Sequence, residues 1–279
     1  MKEQATTAKQ ESIRQKINSF PYWYHQIEIE PGISTPGTHA SAEALQLLQL
    51  PQDCRGMRVL DIGARDGFFS FELERRGAKV LAIDYFGPTI TGFAIASELL
   101  HSRVRYEVLN VYDLSPATHG KFDIVLFLGV LYHLRNPLLA LDRIWNVCRD
   151  RLWLESQVID NAFLNMSTGE MMALDKIAPL MKEMPIMQFY PKDELNKDGS
   201  NWWAPNLACL TAMLETCNFV VQRKVVNGGR AIVECKVGSN PVVEHLRFLE
   251  RSTANGGHPT LGTLRQCWKR ATSWCRGRL

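Results

Sequence analysis

A glycine loop flanked by two carboxylates is the part of this sequence with the clearest chemical potential. Gly63 and Gly67 bracket a short turn, with Asp61 just before it and Asp66 inside it. A dinucleotide site requires G-x-G-x-x-G, so that backbone can approach a pyrophosphate, whereas the spacing here is G-x-x-x-G. Two carboxylates would repel a pyrophosphate and would attract a cation. The loop therefore indicates a cationic ligand.

S-adenosylmethionine meets this requirement, because it carries an ammonium group and a sulfonium and no phosphate. We expect the loop to bind it through Asp61, Gly63, Ala64, Asp66 and Gly67. The loop alone leaves two alternatives open: a strand–helix crossover without a ligand, and one that holds a nucleotide.

Polar residues at the ends of later strands extend the predicted cofactor site. Residues 79–84 form a short apolar segment that ends in Asp84, about 20 residues after the loop, where such folds place a carboxylate on ribose hydroxyls. Asp84 is equally suited to cap the next helix. A third strand at 104–109 leads to Asn110 and Val111, and a fourth at 122–128 ends at Gly129. We expect these three residues to complete the cofactor site, with either Asn110 or Asp113 at the adenine edge.

The elements that position these residues alternate between strand and helix. Apolar runs at 59–62, 79–84, 104–109, 122–128 and 151–155 predict buried parallel strands. Helical patterns follow at 68–76 and 137–147. Residues 219–226 and 230–237 predict a hairpin around Asn227-Gly-Gly. The order predicts an α/β, doubly wound, mostly parallel sheet with a closing antiparallel hairpin.

Three residues are candidates for the catalytic base of a methyl transfer. Transfer from a sulfonium is an in-line displacement, and a hydroxyl nucleophile must also lose its proton. His133 is the first candidate because its ordinary pKa is near neutral, although it could instead support the turn through a backbone carbonyl. Glu155, at the end of the fifth strand, and His25 are further candidates.

Two segments outside the alternating core are candidates for acceptor binding. An aromatic arm at 22–25 contributes Tyr24, and the alternative is that the arm only packs on the sheet. The long segment 156–204 is rich in methionine and predicts a lid or substrate wall, or simply a packed helical insertion. Within these regions and the turn after the fourth strand, the predicted acceptor contacts are Tyr24, Tyr132, Trp202, Trp203 and Asn206.

Composition limits the class of protein. Hydrophobic residues make up 46% and charged residues 22% of 279 residues, typical of a globular protein, and the net charge of +3 does not by itself argue for nucleic-acid binding. The 7 cysteines are scattered without a C-x-x-C pair, which favours reduced thiols. No metal-ligand spacing, signal-peptide core or membrane-length apolar run is apparent. We expect a cytoplasmic protein without a membrane span.

Two motifs carry a family resemblance. DIGARDGFFSFE at 61–72 and GVLYHLRNP at 129–137 resemble class I S-adenosylmethionine-dependent methyltransferases, more narrowly the group related to the tRNA wobble-uridine carboxymethyltransferases. The similarity extends from about Trp23 to Val237 and includes NWWAPN at 201–206. It implies a seven-stranded, Rossmann-like sheet.

The resemblance also suggests a division of the chain. We expect an N-terminal helix and arm at 1–50, with residues 1–10 frayed and a helix at 11–19, and a methyltransferase domain at 51–238 that contains the insertion 156–204. A helical, basic extension would follow at 239–279, where residues 264–279 contain five Arg or Lys, two Trp and no acid.

The acceptor is predicted from a departure from the family pattern. The wobble-uridine relatives use a carboxylated donor and hold it with basic residues, one of them in the arm, whereas residues 20–40 here contain no Lys or Arg. We therefore expect ordinary S-adenosylmethionine as donor and a small-molecule or sugar hydroxyl as acceptor. The alternatives are tRNA modification, with the basic tail on phosphates, and a non-catalytic module that binds S-adenosylmethionine.

Overall fold

The computed structural model of the protein describes residues 2–239, with side chains from residue 7 onward. Its helices are α1 (Lys2–Asn18), α2 (Ser41–Leu48), α3 (Phe68–Arg75), α4 (Phe93–Leu99), α5 (Pro116–His119), α6 (Pro137–Val147), α7 (Leu174–Ile177) and α8 (Leu207–Thr216). Its strands are β1 (Glu28–Glu30), β2 (Ile33–Ser34), β3 (Arg58–Ile62), β4 (Lys79–Asp84), β5 (Arg105–Val108), β6 (Phe122–Leu128), β7 (Cys148–Gln157), β8 (Phe163–Leu164), β9 (Met171–Met172), β10 (Met187–Phe189), β11 (Trp203–Pro205), β12 (Phe219–Asn227) and β13 (Arg230–Val237).

A seven-stranded sheet in the order β12-β13-β7-β6-β3-β4-β5 is the frame of the molecule. Neighbours from β7 to β5 are parallel, and β13 pairs antiparallel with both β7 and β12. The apolar runs of β3 and β6 are buried on both faces, as parallel strands covered by helices require. The predicted α/β, doubly wound sheet with a closing hairpin is confirmed.

Both faces of the sheet are covered by apolar clusters. One cluster joins β6 and β7 to α6 and α8, and the other joins β3, β4 and β7 to α2 and α3. Trp153 is fully buried in the second cluster, where its indole Nε1 donates to Leu48 O at 2.9 Å. This rigid core fixes the carboxyl ends of the parallel strands along one edge, where ligands bind in open α/β sheets.

The N-terminal helix differs most clearly from its predicted boundaries. Helix α1 begins at Lys2, so the prediction of a frayed lead-in at 1–10 is wrong, and the helix is longer than the predicted 11–19. It is anchored by Ile13 and Ile17, which are buried, and by an ion pair between Lys16 and Glu98 of α4. The basic tail at 264–279 and nearly all of the predicted extension lie outside the described residues.

The aromatic arm between α1 and α2 lies against the glycine loop. Trp23 is buried and its Nε1 donates to Ile17 O at 3.0 Å. A Cβ on Gly92, before α4, would lie 2.3 Å from the Trp23 ring, so the close approach of α4 to the arm requires glycine there. Both oxygens of Asp66 accept backbone amides around this contact, from Tyr24 at 2.6 Å and His25 at 2.9 Å on Oδ2 and from Gly92 at 3.0 Å on Oδ1.

The segment between β7 and α8 has its own small core. The hairpins β8–β9 and β10–β11 enclose buried apolar side chains, the largest of them Tyr190. Asn206 is fully buried and caps α8 through Oδ1, which accepts Cys209 N at 2.8 Å. Its Nδ2 donates to Met181 O at 3.0 Å and Met184 O at 2.7 Å. One side chain thus fastens the segment to the helix that follows it.

Within residues 2–239, no helix is both long and apolar enough to cross a membrane. The division of the chain at residues 50, 155, 204 and 238 stays a prediction.

Replacing Asn206 by Ala should destabilise the protein. The change removes the cap of α8 and leaves the partly buried carbonyls of Met181 and Met184 without their donor, which together cost about 2 kcal/mol of unfolding free energy. Urea denaturation measures this. The matched control is Ser115→Ala, which removes the cap of the four-residue α5 and should cost less than about 1 kcal/mol. Equal losses in the two variants would contradict the role of Asn206 as a fastener.

His25 should make stability depend on pH. Burial, then the neighbouring His39 and Arg65, lower its pKa from 6.5 to about 3. The unfolded chain therefore binds the extra proton below pH 6.5, and stability is lost as pH falls towards 3, by up to about 1.4 kcal/mol per pH unit. His25→Phe keeps an aromatic ring beside Phe68 and should flatten this slope in urea titrations between pH 4 and 6.5. The exposed His101→Asn should keep the slope, and an unchanged slope in His25→Phe would contradict the prediction.

Candidate active site

The glycine loop connects the end of β3 to the start of α3 and lies beside the end of β6. Gly63 has φ +76°, and a Cβ there would lie 2.4 Å from Val130 Cγ2. The backbone N–H groups of Gly63 and Ala64 both donate to Ile83 O, at 2.8 and 3.2 Å. Gly67, with φ +93°, begins α3. The predicted cofactor loop is thus a tight turn that only glycine permits at its first position, and it lies directly beside the turn that follows β6.

Two of the predicted carboxylates lie at the ends of adjacent strands. Asp61 is buried and accepts a hydrogen bond from Ser70 Oγ at 2.6 Å. Burial and, less strongly, the nearby Asp84 together raise the pKa of Asp61 to about 6, while the hydrogen bond from Ser70 acts to lower it. Asp84 is more accessible and accepts Arg65 N on Oδ2 and Phe86 N on Oδ1, each at 3.0 Å. This edge of the sheet is therefore electronegative, which suits a cationic ligand.

Asp66, also predicted to bind the cofactor, has a different environment. Its side chain is 1% exposed, and both oxygens are occupied by the three amides of the arm and of Gly92. A carboxylate that is saturated in this way has little capacity left for a ligand. Its contribution to the site is to hold the arm over the glycine loop.

An ion pair between Glu155 and Arg230 lies at the carboxyl edge beyond Gly129. Arg230 Nη1 donates to both Glu155 oxygens, at 2.9 and 3.1 Å, and lies 3.3 Å from the Tyr132 hydroxyl. Gly129 N donates to Glu155 O at 3.1 Å, and a Cβ on Gly129 would be in ordinary contact with Tyr132 and Glu155. The four residues form one polar cluster, in which Tyr132 is buried and the Glu155 side chain is 15% exposed, whereas the Arg230 side chain is 38% exposed and reaches solvent.

Burial governs the protonation of this cluster. It raises the pKa of Tyr132 to about 12, although Arg230 acts in the opposite direction. Burial also raises the pKa of Glu155, partly offset by Arg230. For Arg230 burial acts to lower the pKa, but Glu155 and Tyr132 outweigh it and the pKa lies above its ordinary value. The cluster therefore presents a neutral phenol and a paired cation at neutral pH.

The arm brings Tyr24 and two histidines to this edge. Tyr24 is half-buried and stacks on His39, with ring centroids 4.9 Å apart. Burial raises the Tyr24 pKa, and Arg230, Glu155 and Arg65 all act on it electrostatically. The Arg65 guanidinium lies over the rings of Tyr22 and Tyr24, at 5.7 and 5.4 Å. The arm itself has no Lys or Arg, yet the glycine loop supplies it with a cation.

The three candidate bases have unequal settings. His25 is 5% exposed among aromatic rings, and its Nδ1 has no hydrogen-bond partner among the described residues. Glu155 is engaged by Arg230. His133 is partly exposed, and its Nδ1 lies 2.9 Å from Ser200 Oγ. Burial lowers its pKa, so its imidazole is neutral at pH 7. His133 is the best placed of the three to accept a proton.

The structure keeps two members of the predicted acceptor wall together and separates a third from them. Trp202 N donates to Tyr132 O at 2.8 Å, and its ring lies 4.6 Å from the Arg135 guanidinium. Trp202 and Trp203 both pack on the Phe189 ring, with centroid distances of 6.4 and 4.6 Å. Asn206 is fully buried with its amide and oxygen occupied by backbone groups, which leaves it a structural role rather than a place in the wall.

The predicted adenine-edge residues follow β5. Asn110 is exposed, and its Oδ1 accepts Tyr112 N at 3.0 Å to cap a single 3-10 turn. Val111 is buried. Among the described residues no group of three or more His, Cys, Asp or Glu side chains could hold a metal ion.

Arg230 and Arg65 were missed by the sequence analysis. The hairpin signal at 227–229 contained the information for Arg230, because the first residue of a strand antiparallel to β7 starts at the carboxyl edge of the parallel strands. Nothing in the local sequence distinguishes Arg65 from a solvent-exposed loop arginine. Its contact with Tyr22 and Tyr24 depends on where the arm folds.

Comparison with known proteins assigns the family. A family model described as a methyltransferase domain matches residues 38–212. A tRNA U34 carboxymethyltransferase of Dichelobacter nodosus is 29% identical over 184 residues, which is 63% of this chain and 50% of that protein. A magnesium-protoporphyrin O-methyltransferase of Rhodobacter capsulatus is 37% identical over 95 residues, 34% of this chain and 41% of that protein. The chain spans half or less of the length of these curated relatives.

A solved structure supports the fold. The N-terminal domain of EvdMO1, determined with S-adenosylhomocysteine (SAH) and D-fucose, superimposes with a TM-score of 0.53 at 19% identity over 83% of this chain and 97% of that one. This likeness concerns the fold alone. The family match over residues 38–212 includes the glycine loop and residues 132–134, which we call the Tyr-His-Leu turn. The chain therefore belongs to the methyltransferase domain family, and the predictions of a class I fold and of a methyltransferase are confirmed at the level of that family.

Proposed function

We propose that this protein transfers the methyl group of S-adenosylmethionine to a hydroxyl of a small molecule or a sugar. The observation that carries the proposal is the cluster of Glu155, Arg230 and Tyr132 at the carboxyl edge of the sheet, next to the glycine loop. Its buried phenol and its paired guanidinium are groups that can orient an acceptor hydroxyl by hydrogen bonding.

The residues around the glycine loop fit the cofactor. Asp61 and Asp84 make the ends of β3 and β4 electronegative, and no Lys or Arg side chain forms an ion pair with either carboxylate among the described residues. Asp84 is the accessible one and would hold the ribose hydroxyls. The turn from Gly63 to Gly67 would carry the amino-acid part, as the family resemblance implies. The cofactor supplies the methyl group.

Ordinary S-adenosylmethionine fits this site better than a carboxylated donor. Arg230 is already paired through Nη1 with both oxygens of Glu155. A donor carboxylate at this guanidinium would lie beside the like charge of Glu155, whose side chain is 15% exposed, and the repulsion between the two carboxylates is unfavourable. The ion pair thus supports ordinary S-adenosylmethionine, the donor expected because the arm lacks Lys and Arg. The cation that does lie against the arm is Arg65 of the glycine loop.

The enclosure of the site favours an acceptor that fits inside it. The arm is fastened to the glycine loop through Asp66, and the insertion is fastened to the Tyr-His-Leu turn through the Trp202–Tyr132 backbone bond. The arm and the insertion both cover the carboxyl edge of the sheet. They leave less room there for a folded nucleic acid than for a small molecule. A protein of similar fold was solved in the presence of D-fucose, and one relative is named as an O-methyltransferase of magnesium-protoporphyrin. These names support an oxygen atom of a small molecule as the acceptor.

Methylation or carboxymethylation of the tRNA wobble uridine is the second candidate function. It is supported by the identity of 29% over 184 residues to a tRNA U34 carboxymethyltransferase and by the basic composition of residues 264–279. A non-catalytic S-adenosylmethionine-binding module is a third, weaker alternative. We place the protein in the same compartment as its S-adenosylmethionine supply, the cytoplasm.

The deciding experiment follows the methyl label. Purified protein, methyl-labelled S-adenosylmethionine and an extract of its own source would be incubated, then separated into RNA, protein, lipid–glycan and small-molecule fractions. We expect label in a small-molecule or glycan fraction, and none with the Asp84→Ala variant. The Asp150→Asn variant, changed at the opposite end of β7, should label like wild type. Label in nuclease-sensitive RNA would overturn the acceptor and favour tRNA.

His133 should act as the general base that takes the acceptor's hydroxyl proton. Its replacement by Asn should lower kcat by about 100-fold or more, since positioned bases contribute on that scale. The base must be neutral, and burial lowers its pKa from 6.5, so wild-type kcat should rise with pH through a midpoint below 6.5 and then level off. This limb should vanish in His133→Asn, measured on the labelled acceptor fraction. The exposed His101→Asn should leave both rate and profile unchanged, and a full wild-type limb in His133→Asn would contradict the assignment.

A further inference from the structure

The insertion places a hydroxyl and a carboxylate in line behind His133. Ser200 Oγ lies 2.9 Å from His133 Nδ1 and donates to Asp198 Oδ1 at 2.6 Å. Ser200 N donates to the same oxygen at 2.9 Å. Ser200 and Asp198 are both on the insertion, whereas His133 ends the turn after β6.

The direction of these hydrogen bonds follows from the chemistry of the groups. A carboxylate only accepts, so the Ser200 hydroxyl hydrogen is directed to Asp198. A lone pair of Ser200 then faces His133, and Nδ1 must carry a hydrogen to complete the contact. In a neutral imidazole the other nitrogen, Nε2, is then an acceptor.

We propose that Ser200 and Asp198 are positioning residues that hold neutral His133 as its Nδ1–H tautomer and so keep Nε2 free to accept a proton. This inference rests on the proposed function for its catalytic consequence, but the tautomer itself is independent of any acceptor. It assigns to the insertion a task in the chemistry, beyond covering the site.

Hydrogen bonds hold the loop with Ser200 and Asp198 against the turn that carries His133. We call the chain of hydrogen bonds from Asp198 through Ser200 to His133 the relay. Trp202 N donates to Tyr132 O at 2.8 Å, two residues after Ser200 and one before His133. Asn201 is buried, and its Nδ2 donates to Leu195 O at 2.8 Å, while Asn201 N donates to Asp198 O at 3.1 Å. The loop that carries Ser200 and Asp198 is thus fixed on both sides of Ser200, so that seating of the insertion and the setting of His133 occur together.

The charges around His133 come from three elements. Asp198 on the insertion favours the protonated imidazole, whereas Arg230 on β13 and Arg65 on the glycine loop disfavour it, and burial disfavours it most. Tyr132 lies against the ring, with centroids 4.4 Å apart. Loss of the Asp198 charge should therefore shift the titration of His133 to lower pH.

Nuclear magnetic resonance of the full chain with ¹⁵N-labelled histidine reads the tautomer directly, without substrate. In wild type above the His133 titration we expect the Nδ1–H form, identified by the loss of its resonances in His133→Asn. In Ser200→Ala and Asp198→Asn the two tautomers should mix, and Asp198→Asn should also titrate at lower pH. Ser200→Thr keeps the hydroxyl and should restore the wild-type pattern. Ser167→Ala, an exposed hydroxyl on the same insertion, should change nothing.

Kinetics supply the second readout. Because one ordinary hydrogen bond is lost near the surface, kcat should fall about fivefold in Ser200→Ala with KM unchanged, and recover in Ser200→Thr. Wild-type tautomers in Ser200→Ala and Asp198→Asn would overturn the relay while leaving the proposed function intact. Mixed tautomers with unchanged kcat would retain the relay and overturn His133 as the base.

Discussion

The buried carboxylate of Asp66 is the interaction on which the site depends. A charge out of contact with water is costly unless several donors compensate it, and Asp66 is compensated by amides from two separate segments. Those amides belong to the arm and to the residue before α4, so the same carboxylate fixes both against the glycine loop. Because Asp66 is 1% exposed, displacing the arm would leave a buried carboxylate without two of its hydrogen-bond donors, which costs free energy. The arm's aromatic residues are therefore part of the site.

The antiparallel closure of the sheet supplies what the parallel strands lack. Parallel strands deliver Asp61, Asp84 and Glu155 to one edge, and that edge would be purely acidic. Because β13 runs against β7, its first residue, Arg230, arrives at the same edge and neutralises Glu155. The ends of β3 and β4 thus keep their negative charge, while Glu155 at the end of β7 is paired with Arg230 beside Tyr132. One fold in this way creates two electrostatic environments next to each other.

Hydrogen bonds to backbone groups hold the insertion against the rest of the domain. Asn206 fastens it to α8, and the Trp202–Tyr132 bond fastens it to the turn that carries His133. Both fasteners are buried or partly buried, where an unmade hydrogen bond is expensive. The insertion's methionines are largely at the surface, so its cohesion comes from the small core around Tyr190 rather than from them. The family's fold is common, and this segment is where an acceptor preference would be encoded.

The sequence by itself determined the sheet, its closing hairpin and the glycine loop, because each follows from a local pattern of apolar residues, glycines and turn residues. The strands at 79–84 and 122–128 and the helix at 137–147 agree with the observed β4, β6 and α6 to the residue. Only the tertiary structure decided which polar residues face a ligand. Asp66 and Asn206 were predicted as site residues but are saturated by backbone groups, whereas Arg230, Arg65, Ser200 and Asp198 were not predicted and lie at the proposed site. The reason is physical: a local pattern fixes which face of a strand is apolar, but the partner of a polar side chain comes from segments distant in sequence.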